Sequence, residues 1–217
     1  MKLQTKPVRG GFTLVELLVV ITIIAILASF AVPVFNRVVA RAQQSKTVNN
    51  TRQIALACRL FAQANNGIFP VGVDGVPATN SEGAYQALFD AGEIDLEALF
   101  WNPRATHACS QQTPNEDGTL QPGENAFGYV RGLNDTSPGN PPLIVEAWTS
   151  QNTWDTAQGH PWERQVVVAL VDASTNVLST DTSNQVKVPA GAQQVDLLST
   201  QNLPTGAEYL DTGGNTN

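Results

Sequence analysis

The stretch Gly10-Gly11-Phe12-Thr13-Leu14-Val15-Glu16-Leu17-Leu18-Val19-Val20 opens an apolar run that continues to Phe35. From Phe12 the run is 24 residues long, with Thr13, Glu16, Thr22 and Ser29 as its only polar members. As a helix rising 1.5 Å per residue it would extend roughly 36 Å. A bilayer's hydrocarbon core is about 30 Å thick, so the run is long enough to span. A secretory signal has a shorter apolar region, about 7 to 15 residues, followed by a small-residue cleavage site. Here Ala28-Ser29-Phe30-Ala31 does not end the run, because Val32 to Phe35 continue it. Two residues are unusual for a plain anchor. A carboxylate such as Glu16 costs about 2.5 kcal/mol or more at the bilayer centre and less near the edge. It therefore either pairs with a cation or snorkels to the interface. Pro33 would break a helix in water at a cost of about 3 kcal/mol, yet membrane helices tolerate proline.

Working outward from this run, charge is sorted by segment. Residues 1–11 carry Lys2, Lys6 and Arg9 and no acid. Residues 36–66 carry Arg37, Arg41, Lys46, Arg52 and Arg59, again with no acid. From Gly67 onward eighteen Asp or Glu face four Lys or Arg, a net of −14. The basic leader places the N-terminus in the cytoplasm and the acidic head outside the inner membrane. An acidic head argues against nucleic acid as a partner, since phosphate recognition needs concentrated positive charge. It reads as a self-repelling soluble surface, with cation binding or charge matching to neighbouring basic stalks as the other readings.

The segment Gly10 to Val20 resembles the processing site of type IV prepilins and of type II secretion pseudopilins. The resemblance implies that a membrane peptidase cuts between Gly11 and Phe12 and then methylates the new α-amino group of Phe12. Glu16 then falls at the position of the family's acid, and Pro33 at that of its helix-bending proline. It also implies the fold class, α+β: a long N-terminal helix packed on a small antiparallel β-sheet head. The resemblance covers the first 66 residues. Asn66-Gly67-Ile68-Phe69-Pro70 is similar to the turn that ends the long helix in many pseudopilins.

The residues themselves agree with that outline. No Gly or Pro occurs from Val34 through Asn66, and Ile54, Cys58 and Phe61 recur at i, i+4 and i+7, the spacing of a buried helical stripe. Asn65-Asn66-Gly67 is a C-terminal stop, and Pro70 prevents a restart. In the head, Gly83–Ala91 predicts a short helix and Leu96–Phe100 a further turn. Strands are predicted at 126–130, 142–148, 165–172 and 176–179, with the β-branched run Val166 to Val171 as the central one. The predicted organisation is a leader at 1–11, a transmembrane and assembly helix at 12–35 and an amphipathic stalk at 36–66. A globular head at 67–211 and a disordered tail at 212–217 complete it.

No recognisable enzyme constellation appears, and the chain reads as a non-enzyme without a cofactor. His107 and Cys109 lack a second pair for a zinc site. Asp172, Ser174 and Asn176 alternate like the start of a calcium loop, but no glycine follows and no bidentate Glu ends it. An ordinary turn is the competing reading. Cys58 and Cys109 leave both a single disulfide and two buried thiols open. Among filament subunits, the lack of a C-terminal cysteine pair favours a type II secretion pseudopilus subunit supporting protein export. A type IV pilus subunit for adhesion, motility or DNA uptake is the alternative, and a membrane-tethered binding protein that never polymerises is the second. The expected partners are the prepilin peptidase/methyltransferase, other copies, minor pseudopilins, an inner-membrane assembly platform and the lipid bilayer.

Overall fold

The computed structural model describes residues 12–74, 76–110, 114–150, 152–190 and 193–212. The chain falls into two compact units divided between Gln43 and Gln44. One helix, α1 (Leu14–Ala64), supplies the described part of the first unit and the opening of the second. Its end follows from the asparagine–glycine stop. Asn66 takes φ 54° and Gly67 φ 81°, and the Gly67 amide donates to the Ala62 carbonyl at 2.7 Å. The Ala62 carbonyl also accepts the Asn65 amide at 3.0 Å, so the last turn closes on it twice.

In the second unit β1 (Gly72–Val73) and β2 (Val76–Pro77) form a small ribbon. The helix α2 (Ser81–Asp90) follows, and Asn80 caps it by accepting the Gly83 amide at 3.1 Å. A 3-10 turn at Glu97–Leu99 comes next. The strands are β3 (Phe127–Arg131), β4 (Pro142–Glu146), β5 (Gln165–Leu170), β6 (Thr175–Ser179), β7 (Lys187–Ala190), β8 (Gln193–Asp196) and β9 (Glu208–Leu210). Five of them make an antiparallel sheet in the order β6-β5-β4-β3-β9, and β7 pairs with β8 separately. The fold is thus α+β in the pilin-like arrangement. One expectation needs correcting: the middle strand is β4, and β5 lies between it and the edge strand β6.

Both faces of the sheet are covered, which is why β5 reads as a continuous apolar run rather than an alternating one. On one face Ile54, Ala55, Cys58 and Ala62 of α1 share a core with Tyr129 and Ile144. On the other, Val145, Val166 and Val168 pack with Trp154 and Val186. Tyr85 of α2 lies in the first core and donates from its hydroxyl to the Gly128 carbonyl at 3.1 Å.

Several acids of the head are structural rather than solvated. Glu97 is fully buried. Its carboxylate accepts the amides of Glu116 (2.8 Å), Gly118 (2.6 Å) and Thr119 (3.1 Å). Glu124, also buried, accepts the amides of Asn115 and Gln121 at 3.1 and 3.0 Å. Side-chain bonds of this kind hold the described residues of the loop leading into β3.

Candidate functional site

The N-terminal end of α1 brings Glu16 against Thr13, with Phe12 immediately before Thr13 in the chain. The Glu16 carboxylate reaches back and accepts two bonds on Oε2, from the Thr13 amide at 2.9 Å and the Thr13 hydroxyl at 2.8 Å. In return the Glu16 amide donates to the Thr13 hydroxyl at 3.2 Å. This is a reciprocal capping box, and it satisfies helix-end amides that have no partner within the helix. Its signal in the sequence is the Thr13-x-x-Glu16 spacing, which the membrane reading of Glu16 does not use. Gly10 and Gly11 lie outside the described residues.

Beyond the cap, α1 presents apolar side chains on all sides. Every large hydrophobic residue from Phe12 to Val38 is at least 46% exposed. The two hydroxyls inside the run turn inward on the backbone: Thr22 donates to the Leu18 carbonyl and Ser29 to the Ile26 carbonyl, both at 2.7 Å. They therefore present no unmet donor to an apolar surrounding. Pro33 lies within the helix, whose span is unbroken there. Among the described residues this is the one helix long and apolar enough to cross a membrane.

The head holds a second cluster that sequence reading missed. Glu146, on β4, and His160 are both buried, with Glu146 Oε2 3.8 Å from His160 Nε2. Glu146 also accepts the Trp162 indole N–H at 2.7 Å and the Val167 amide at 2.8 Å. Burial pushes the Glu146 carboxyl up to about 8 and the His160 imidazole down to about 3. Nothing in the sequence around His160-Pro161-Trp162 announces a carboxylate fourteen residues upstream. His107 makes no metal pair with Cys109. Its two ring nitrogens lie 3.1 Å from the Gly159 carbonyl and 2.8 Å from the Ala147 carbonyl.

The remaining candidates are placed plainly. Asp172 accepts the Ser174 amide at 2.8 Å, and the Ser174 bonds hold its carboxyl below the usual range. This is an Asx turn joining β5 to β6, with Asn176 already in the ladder opposite Val168. Among the described residues no group of three or more His, Cys, Asp or Glu side chains is placed to hold a metal ion. Cys58 and Cys109 are buried free thiols.

A family profile for the prokaryotic N-terminal methylation motif matches residues 6–32, which include the whole capped helix end. A type IV major fimbrial protein FimA from Dichelobacter nodosus (strain VCS1703A) is 50% identical over 132 residues, 58% of this chain and 78% of the relative. The chain belongs to the type IV pilin-like family. A second FimA from Dichelobacter nodosus is 42% identical over 52 residues, 24% of this chain and 33% of that protein. No solved structure matches.

Proposed function

We propose that this chain is a structural subunit of a type IV pilus, assembled from the inner membrane after prepilin processing. The likeness to a major fimbrial protein across 78% of that protein's length carries the reading. The type II secretion pseudopilus that the sequence alone favoured takes second place, because the relatives are fimbrial by name.

In this reading the peptidase removes residues 1–11, cutting between Gly11 and Phe12, and methylates the Phe12 amine. Residues 12–35 hold the subunit in the bilayer with its N-terminus cytoplasmic, and residues 36–66 and 67–211 form the exported stalk and head. Of the tail expected at 212–217, residues 213–217 lie outside the described residues. On assembly the apolar helix leaves lipid for the flanks of other copies, through a heterologous contact that does not close and so propagates a filament. Glu16 meets the Phe12 ammonium of a neighbour. In a dry surrounding such a pair sets register more than it adds stability. The capping box accounts for Glu16 before assembly: Thr13 occupies Oε2 while the subunit waits in the membrane. The partners are the processing enzyme, other copies, an inner-membrane platform and the bilayer.

The test is mass spectrometry of the mature N-terminus with imaging of the cell surface. A chain beginning at methylated Phe12 and present in surface filaments is expected. A chain beginning at Met1, or past Ala28, would overturn the pathway. Surface filaments that persist unchanged when the gene is deleted, with exported proteins retained in the cell, would favour the pseudopilus.

A further inference from the structure

The head carries two hollows beside the last turns of α1, each with apolar and acidic side chains together in its lining. The first, about 470 Å³, has Phe61, Ile68 and Val71 in its wall with Asp74 and Asp90. The second, about 290 Å³, has Leu56 and Leu60 in its wall with Glu93 and Asp95. No Lys or Arg lines either one. Leu56, Leu60 and Ile68 are each 45–51% exposed, a large apolar surface for an exported head that repels its own kind by net charge.

One segment of this chain has the opposite character. Residues 34–41 of α1 carry Val34 and Val38 at i, i+4, and Arg37 and Arg41 at the same spacing, so each pair shares a helix face. All four side chains are exposed. No described acid comes within ion-pair distance of Arg37 or Arg41, and no described base within that distance of Asp90, Glu93 or Asp95.

We infer that the acid-lined hollows of one subunit receive the Val34–Arg41 segment of a second copy. The valines cover the apolar wall and the arginines face the acids. The inference rests on the filament reading above and deepens it by naming the two surfaces that meet. Apolar burial supplies the attraction, while the charges select orientation and oppose head-to-head contact, where acid would face acid. A heterologous contact of this kind leaves one free hollow and one free basic segment at opposite ends, as a growing filament requires.

Charge reversal in the full-length chain, expressed in a host that assembles it, tests the pairing. One variant carries Asp90→Lys and Asp95→Lys, a second Arg37→Glu and Arg41→Glu, and a third all four changes. Mature N-termini and membrane levels are measured alongside sheared filament yield. The expected result is normal processing throughout, at least a tenfold loss of filaments in the first two variants, and recovery in the third. The second variant leaves the head untouched, so its loss cannot come from a misfolded head. Wild-type yield from either two-site variant, or no recovery in the third, overturns the pairing while leaving the pilin reading intact. Loss in the first variant alone would mean that something other than this segment fills the hollows, and also overturns it. Absence of filaments from the wild-type chain would instead remove the filament reading and the pairing with it.

Discussion

Glu146 Oε2 and His160 Nε2 face each other across 3.8 Å in a part of the head closed to water, and neither group gains by carrying charge there. Burial moves the carboxyl up to about 8 and the imidazole down to about 3, so the folded pair is neutral on both sides at neutral pH. The two shifts act on stability in opposite senses. Raised from 4.5, Glu146 keeps a proton that the unfolded chain gives up, so its contribution is full below pH 4.5 and lost as pH climbs toward 8. Depressed from 6.5, His160 stays bare where the unfolded chain protonates, so its contribution is full above 6.5 and lost toward pH 3. Between 4.5 and 6.5 the slopes cancel. Unfolding midpoints measured against pH should therefore show a plateau there, with stability falling on either side by about 1.4 kcal/mol per pH unit. Glu146→Gln should flatten the alkaline limb and keep the acid one. An unchanged alkaline limb in that variant would show that the proton is held elsewhere.

The capping box separates two roles of Glu16 that a valine substitution would confuse. Glutamine can still close on the Thr13 amide, since Gln serves in a capping box as Glu does. It carries no charge to meet an ammonium. Glu16→Gln should leave cleavage after Gly11 intact and lower filament yield at least tenfold, read by N-terminal mass spectrometry and shearing. Thr13→Ala is the converse: it removes the cap, costing about 1 kcal/mol at the helix end, and should leave filament yield near wild type. Full assembly by Glu16→Gln would sink the charge pair.

How far the sequence was legible depends on whether a signal was local. The helix end at Asn66-Gly67, the short helix expected at 83–91 and found at Ser81–Asp90, and the strands β3 to β6 each announce themselves within a few residues. β7, β8 and β9 do not. Lys187 and Pro189 interrupt β7, Gln193, Gln194 and Asp196 dominate β8, and β9 spans three residues. These pair because the fold presents them to partners, and no period-two pattern precedes that. The place of β5 beside the middle strand is likewise a matter of topology, invisible to composition. At the functional end the apolar run and its acid were plain, whereas Thr13 as the partner of that acid needed the capping pattern to be looked for. The Glu146–His160 contact joins positions that nothing local connects.

Cys58 and Cys109 make a direct prediction about reactivity. Burial pushes the Cys109 thiol up to about 12 and Cys58 further still, and the thiolate is the form that attacks alkylating reagents. The folded chain in detergent at pH 8 should take up almost no iodoacetamide. After denaturation without reductant, both thiols should be labelled. Labelling that appears only once reductant is added would reveal a disulfide instead.

Two glycines should respond differently to the same added methyl. Gly67 needs its positive φ of 81°, which costs a residue with a Cβ about 1–2 kcal/mol. The nearest obstacle there is the Asp135 carboxylate, the mobile end of a side chain. Gly128 has no such backbone demand, but a Cβ at that position runs into the ring of Tyr209. That ring is held from its other surroundings by Trp148, centroid to centroid at 4.4 Å. It also belongs to β9, whose ladder with β3 pairs Tyr209 with Val130. The ring cannot leave without disturbing a three-residue strand at the sheet edge, so overpacking of about 1–3 kcal/mol is the least expected. Gly128→Ala should lower the unfolding midpoint more than Gly67→Ala. In a Tyr209→Ala background most of the Gly128→Ala cost should vanish, a coupling that a double-mutant cycle reads directly. Equal costs with and without Tyr209 would place the strain in the β3 backbone instead.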